Sequence, residues 1–304
     1  MQKQEFNGCI NILSSRTRCL PISIKSFQDK WNYRYNYPIY VHYFDDIYDN
    51  PILQSEILKF TKADVRFISV PYWTPSEIPE EEMFYNRKDL WYVKTGRFGP
   101  HRKGFLHMNR FYNNLYGYPN TEFEKYDYIF SFDDESLFLK EVPYNFFEEI
   151  SRRPEPCGAI KITHPHIKPP HQGNFDCRVG MLDFVVKYMK ENNINPSVEF
   201  LQNLLVERED KEKYFHDNLV VADSWVFKTD VFTTSEWKSW SSAVNDSGGI
   251  FKYRWGDCEL NVLFFLIYYG ELPYDFKTVD EGYHDQGGLR YVQDYAPSVK
   301  DFNR

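Results

Sequence analysis

Tyr126-Asp127-Tyr128-Ile129-Phe130-Ser131-Phe132-Asp133-Asp134-Glu135 is the stretch on which the reading of the fold turns. Its aromatic first part reads as a buried strand, and three acids follow with no loop between. In α/β sheets, ligands bind beyond the carboxyl ends of the strands, so acids placed there face a ligand. Asp133 and Glu135 alternate and are able to face one cation. Carboxylate oxygens suit Mg²⁺ or Mn²⁺, and such an ion also takes diphosphate oxygens and stabilises a departing diphosphate as a Lewis acid. A solvated acidic turn is the alternative reading.

Working outward, residues 9–13 read as a first strand, 14–19 as the loop leaving it, and 21–31 as a helix with Ile22, Ile24, Phe27 and Trp31 at helical spacing. Residues 38–44 form a second strand, 51–60 a helix and 65–70 a third strand. That alternation predicts a doubly wound sheet able to bind a nucleotide. Residues 71–102 are polar, aromatic and proline-bearing and read as a long loop, with 105–116 helical. Downstream, 159–163 and 219–228 read as strands, 181–192, 198–208 and 259–269 as helices, 165–174 as loop, and the tail from Gly282 as irregular. No repeat, low-complexity tract or linker divides the chain. One α/β domain over 1–304 is expected, with a nucleotide-binding half at about 8–135 and a second half at about 136–304.

Two further motifs carry chemistry. Gly248-Gly249-Ile250-Phe251-Lys252-Tyr253-Arg254-Trp255-Gly256-Asp257-Cys258-Glu259 brings glycines, a Trp and two acids to the start of an apolar helix. Asp257 or Glu259 in the first helical turn has its charge favoured by the dipole and is able to accept a proton from an acceptor hydroxyl. A plain helix cap by Asp257 is the alternative. In Tyr283-His284-Asp285, a late loop histidine offers a neutral imidazole to a metal. His164, His166 and His171 in the proline-rich loop, and the basic group Arg97, His101, Arg102 and Lys103, are weaker signals read first as solvated loop.

Composition excludes several classes. A net charge of -8 argues against nucleic-acid binding. The five cysteines lack a C-x-x-C pair, against structural zinc or a redox dithiol. No apolar run reaches the roughly 20 residues that span a bilayer. A cytoplasmic enzyme is expected, with the Golgi lumen as alternative had an N-terminal anchor been removed. Phosphate-binding, dinucleotide-binding, serine-hydrolase and zinc-protease motifs are all missing. The aromatic share of 19% has two readings: ring-rich packing, or platforms on which sugars and bases stack.

Taken together, these segments resemble the fungal α-1,2-mannosyltransferase family. Ser26 to Asn32 followed by Tyr37-Pro38 is similar to that family's early helix and YPW strand. His107-Met108-Asn109-Arg110-Phe111 is similar to its HMCRF, and Tyr126 through Glu135 to its YDYYWRVEPD. Gly249 to Asp257 is similar to GGFFYERWGD, and Gly282-Tyr283-His284 to GYFH, the order being kept from about residue 10 to 285. The resemblance implies a single GT-A-like (Rossmann-like) domain with a mixed central sheet flanked by helices. It also implies Mn²⁺ (or Mg²⁺), a nucleoside-diphosphate sugar such as GDP-mannose, and a glycan acceptor, as in glycan biosynthesis and protein glycosylation. Asp133 and Glu135 fall on the acids of the family's E-P-D with their lengths exchanged, and His284 on its metal-binding histidine. Arg16, His107, Arg110, Asp133 and Trp255 fall in the donor-binding motifs, and Asp257, Glu259 and Asp223 are the catalytic candidates. One departure stands out. Val220 replaces a glutamate tied to the family's retaining chemistry, with Asp223 nearby, so retention, inversion and the donor sugar all stay open. A catalytically silent sugar- or nucleotide-binding module and a metal-dependent hydrolase are the rival readings.

Overall fold

The computed structural model describes residues 6–15, 17, 19–73, 78–89, 103–114, 122–163, 178–195, 205–207, 213–215, 221–276 and 283–284. Strand β1 (Gly8–Leu13) is buried at every position, as expected of a parallel strand covered on both faces. It pairs in parallel with β2 (Ile39–Tyr43) on one side and β4 (Tyr128–Ser131) on the other. β3 (Val65–Ser69) joins β2 at the edge and is only partly buried. Between these strands run α1 (Leu20–Lys30) and α2 (Pro51–Leu58). Asn50 caps α2 by accepting from the Ile52 amide, and Pro51 opens the helix where an N–H has no partner to lose. This is the doubly wound half anticipated from the sequence.

The second half makes the sheet mixed. β9 (Val221–Lys228) lies antiparallel between β4 and β6 (Cys157–Thr163), and β10 (Tyr274–Asp275) pairs in parallel with β6. The seven strands run in the order β10-β6-β9-β4-β1-β2-β3. The remaining helices are α3 (Lys103–Asn113), α4 (Phe146–Ser151), α5 (Met181–Glu191), α6 (Ser235–Ser247), α7 (Gly249–Tyr253) and α8 (Asp257–Tyr269). Two small antiparallel pairs lie apart from the main sheet: β5 (Leu137–Phe138) with β11 (Tyr283–His284), and β7 (Leu205–Glu207) with β8 (Lys213–Phe215).

Several local expectations change. The helix expected over 198–208 is overturned at Leu205–Glu207, which is a strand, because pairing with Lys213–Phe215 outweighs a short apolar run that fits either period. Tyr283–His284 is likewise a strand where irregular tail was expected. Helix α6 was not anticipated; Thr234 caps it through the Trp237 amide, and Gly248 ends it at φ 68°. Trp237, Trp240 and Val244 supply its inner face.

Two apolar clusters pack the molecule. One joins Phe27, Trp31, Tyr37, Phe130, Phe132, Phe138 and Phe146, and the other joins Trp225, Phe227, Trp237, Trp240, Trp255, Phe264 and Phe265. The largest fully buried side chains are Trp, Tyr and Phe, so much of the aromatic content is core. Each such ring contributes roughly 1.5–3 kcal/mol on burial. Among the described residues, Cys9, Cys19, Cys157 and Cys258 form no disulfide with one another, and no helix is long and apolar enough to cross a membrane.

Candidate active site

A cleft of about 190 Å³ opens where four segments meet beyond the carboxyl end of β4. β4 and the turn after it supply Ser131 and Asp133, and the antiparallel neighbour β9 supplies Ser224, Trp225 and Phe227. Residues 254–261 supply Arg254, Gly256, Asp257, Cys258, Glu259 and Asn261. Helix α3 supplies Phe105, Met108, Asn109 and Tyr112, whose spacing puts them on one face of the helix.

Within the acidic triplet, Asp133 lines the cleft and Glu135 is not among its lining residues. Asp134 is 4% exposed and turned inward, where Ser14 Oγ donates to its carboxylate at 2.8 Å. Tyr48 Oη lies 2.7 Å from the same Ser14 Oγ and completes the set. Glu135 is half-buried. The β5–β11 pairing sets His284 opposite Leu137, two residues after Glu135. Among the described residues no three His, Cys, Asp and Glu side chains form a metal-holding group, and the His284 side chain lies outside those described.

Asp257 and Glu259 open α8 after Gly256. They do different things. Asp257 is 8% exposed, lines the cleft, and accepts a weak contact from Cys258 Sγ at 3.9 Å. Glu259 folds back so far that its Oε2 would sit 2.2 Å from a Cβ on Gly256, and its other oxygen meets Arg178 at 3.3 Å. Both acids line the cleft, and Glu259 is also engaged by Arg178.

Among the described residues, several side chains that line this cleft carry buried polar atoms without partners. Asn109 Nδ2 donates to the Trp255 carbonyl at 3.0 Å, which fixes the amide and turns Oδ1 loose. Among the described residues, Asn109 Oδ1, Asn261 Oδ1 and Trp225 Nε1 have no hydrogen-bond partner. The buried Tyr112 hydroxyl makes no full hydrogen bond either. Burial first, then Asp133 and Asp257, push it well above the usual phenol range, with a weak opposing approach to the Leu13 backbone. Ser224 holds φ 53° in mid-strand beside Asp223, an outlier of the sort that persists where surroundings over-determine it. Arg254, also left-handed at φ 62°, lays its guanidinium 4.3 Å from the Phe105 ring centre.

The other expected residues lie elsewhere. His107 and Arg110 occupy a different face of α3, outside the lining of this cleft. His107 packs on Tyr72 at 4.5 Å, and Arg110 covers Trp73 at 3.9 Å from the ring centre. Trp255 is 2% exposed, and its Nε1 donates to the Val179 carbonyl at 2.9 Å, so it is a core residue that shapes the turn before Asp257. Asp223 pairs by its backbone with Lys161 on β6, its side chain lying outside those described. Arg16 and Val220, with His164, His166, His171, Arg97, His101 and Arg102, lie outside the described residues.

Sequence reasoning passed over Asn109, Tyr112, Ser224, Trp225 and Asn261. Asn261 had a legible signal, a lone amide in the apolar run of Asp257–Tyr269. The Asn109 and Tyr112 spacing was equally visible, but which face of α3 looks inward depends on the sheet.

The fold has counterparts among solved structures. Core-mannan synthase A from Aspergillus fumigatus, in a Mn/GDP form, superposes with a TM-score of 0.72 at 16% identity, over 93% of this chain and 76% of that one. The mannosyltransferase Ktr4p from S. cerevisiae gives 0.69 at 17% identity over 92% and 70% of the two chains. Its complex with GDP gives 0.65 at 17% over 92% and 71%.

This chain has a GT-A fold.

In GT-A terms, the mixed seven-stranded sheet carries the strand-end acids and the cleft at one end. No protein-family model matches the chain, and no curated protein matches it in sequence. At 16–17% identity the likeness is one of fold.

Proposed function

We propose that this chain is a glycosyltransferase, moving a sugar from a nucleoside-diphosphate donor to a carbohydrate hydroxyl with the help of Mn²⁺ or Mg²⁺. One observation carries the reading: among the described residues, Asn109 Oδ1, Asn261 Oδ1 and Trp225 Nε1, on side chains that line the cleft together with Asp133 and Asp257, are buried without partners. Each such atom left unmet costs about 1–3 kcal/mol, so the cleft suits a ligand that both donates and accepts. Sugar hydroxyls do both. The similar structures from A. fumigatus and S. cerevisiae hold GDP, one with Mn, and the yeast protein is described as a mannosyltransferase; GDP-mannose is therefore the donor of first choice.

In this reading Asp133, Glu135 and His284 hold the cation. Their donor set of two carboxylates and an imidazole suits Mn²⁺, and the β5–β11 register supports the third member. Bound there, the cation supplies charge neutralisation for the departing diphosphate. Asp257 takes the proton from the attacking hydroxyl, with the helix terminus favouring its charge. Arg16, His107 and Arg110 serve the nucleotide, and Asp223 is a second catalytic carboxylate beside the strained Ser224.

The test is thermal melting with GDP-mannose, other nucleotide sugars and the free nucleotides, each with and without Mn²⁺. A donor at 100 times its dissociation constant adds roughly 2.7 kcal/mol of stability. Cation-dependent stabilisation by one donor supports the reading, and a flat response to all of them rejects it. Binding without turnover points instead to the silent module.

A further inference from the structure

Residues 178 and 179 grip both flanks of the turn that presents Asp257. Arg178 is 9% exposed, and its Nη2 lies 3.3 Å from Glu259 Oε1. The other oxygen of Glu259 presses against Gly256, at 2.2 Å from where a Cβ would stand. One residue earlier, the Trp255 indole donates to the Val179 carbonyl at 2.9 Å, and the Trp255 carbonyl accepts from Asn109 at 3.0 Å. Gly256 and Asp257 thus sit between an ion pair made by Glu259 and two hydrogen bonds made by Trp255. Arg254 enters this turn at φ 62°, a backbone state that needs support from its surroundings. Among the described residues, the ion-pair partner of Arg178 is Glu259.

We propose that Arg178 is a positioning residue for Asp257, acting through Glu259 to hold the first turn of α8 against the cleft. The proposal rests on Asp257 being the proton acceptor in transfer. Removing one partner of a nearly buried ion pair leaves the other uncompensated, so the effect centres on this turn.

Cys258 reports on the turn independently of activity, because it lines the same cleft beside Asp257. Alkylation by iodoacetamide, followed at each cysteine peptide by mass spectrometry, measures how far the turn opens. In Arg178→Ala, Cys258 is expected to label about tenfold faster than in the unaltered chain, with Cys9 and Cys157 unchanged. Arg178→Lys restores most of the protection. Should Arg178→Ala loosen the whole fold, Cys9 and Cys157 label as well, and the near-isosteric Glu259→Gln then decides. An unchanged or slower Cys258 rate in Glu259→Gln overturns the proposal. In transfer assays, Arg178→Ala is expected to lower kcat about 10- to 100-fold with the donor KM unchanged, and Arg178→Lys to recover it. If the unaltered chain transfers no sugar, the functional reading fails while the labelling still judges the clamp.

Discussion

The Trp255 ring lies so close over Gly249 that a Cβ added to the glycine would meet it at 2.2 Å. The glycine is therefore required by the tryptophan, since its own backbone is helical. Gly249→Ala forces the indole out of its seat and is expected to cost about 1–3 kcal/mol by overpacking. Trp255→Ala empties the seat and is expected to cost roughly 3–5 kcal/mol. Urea denaturation checks both, and a loss below about 0.5 kcal/mol for Trp255→Ala contradicts its place in the core.

Asp257→Asn keeps the shape of the cleft but removes the proton acceptor. Donor affinity is expected to stay, and transfer to fall roughly 10²–10⁴-fold. If the loss appears only in the acceptor KM, Asp257 orients the acceptor instead of taking its proton.

Asp133→Ala and Glu135→Ala are each expected to abolish Mn²⁺-dependent stabilisation by the donor while the metal-free melting temperature barely moves. Turnover that persists in EDTA contradicts a role for the cation.

His42 gives the fold an acid-sensitive element. It is fully buried, and its Nδ1 donates to Asn11 Oδ1 at 2.8 Å while Asn11 donates on to Ser131 in the cleft at 3.1 Å. Burial pushes the imidazole down from 6.5 to about 3. In that window the unfolded chain binds the proton and the fold does not, so stability rises with pH. The contribution is complete above about pH 6.5 and is lost toward pH 3. Its slope is about 1.4 kcal/mol per pH unit. His42→Gln is expected to flatten the acid limb of a stability-against-pH curve; an unchanged slope contradicts the assignment.

The parallel half of the sheet was legible because β1, β2 and β4 are nearly continuous apolar runs separated by helical spacing. The acids after β4 were legible because they follow directly on an apolar strand, and those of α8 because they open an apolar helix. The second half was less so. Leu205–Glu207 is too short to show a period, and α6 hides its buried face among serines. Asn109, Tyr112 and Trp225 become site residues only when β9 turns antiparallel against β4 and brings α3 and α8 over the same strand ends. Glu259 looked equivalent to Asp257 because Arg178, its partner, is 81 residues away in sequence.

The central claim is sugar transfer, and product mass tests it most directly. The chain is incubated with Mn²⁺, a carbohydrate acceptor such as a mannoside, and a nucleotide-sugar panel headed by GDP-mannose. The account predicts that the acceptor gains one glycosyl unit with one donor, that the gain vanishes in EDTA, and that Asp257→Asn suppresses it. Release of free sugar at the same rate with and without acceptor, and no gain in acceptor mass with any donor, would contradict it.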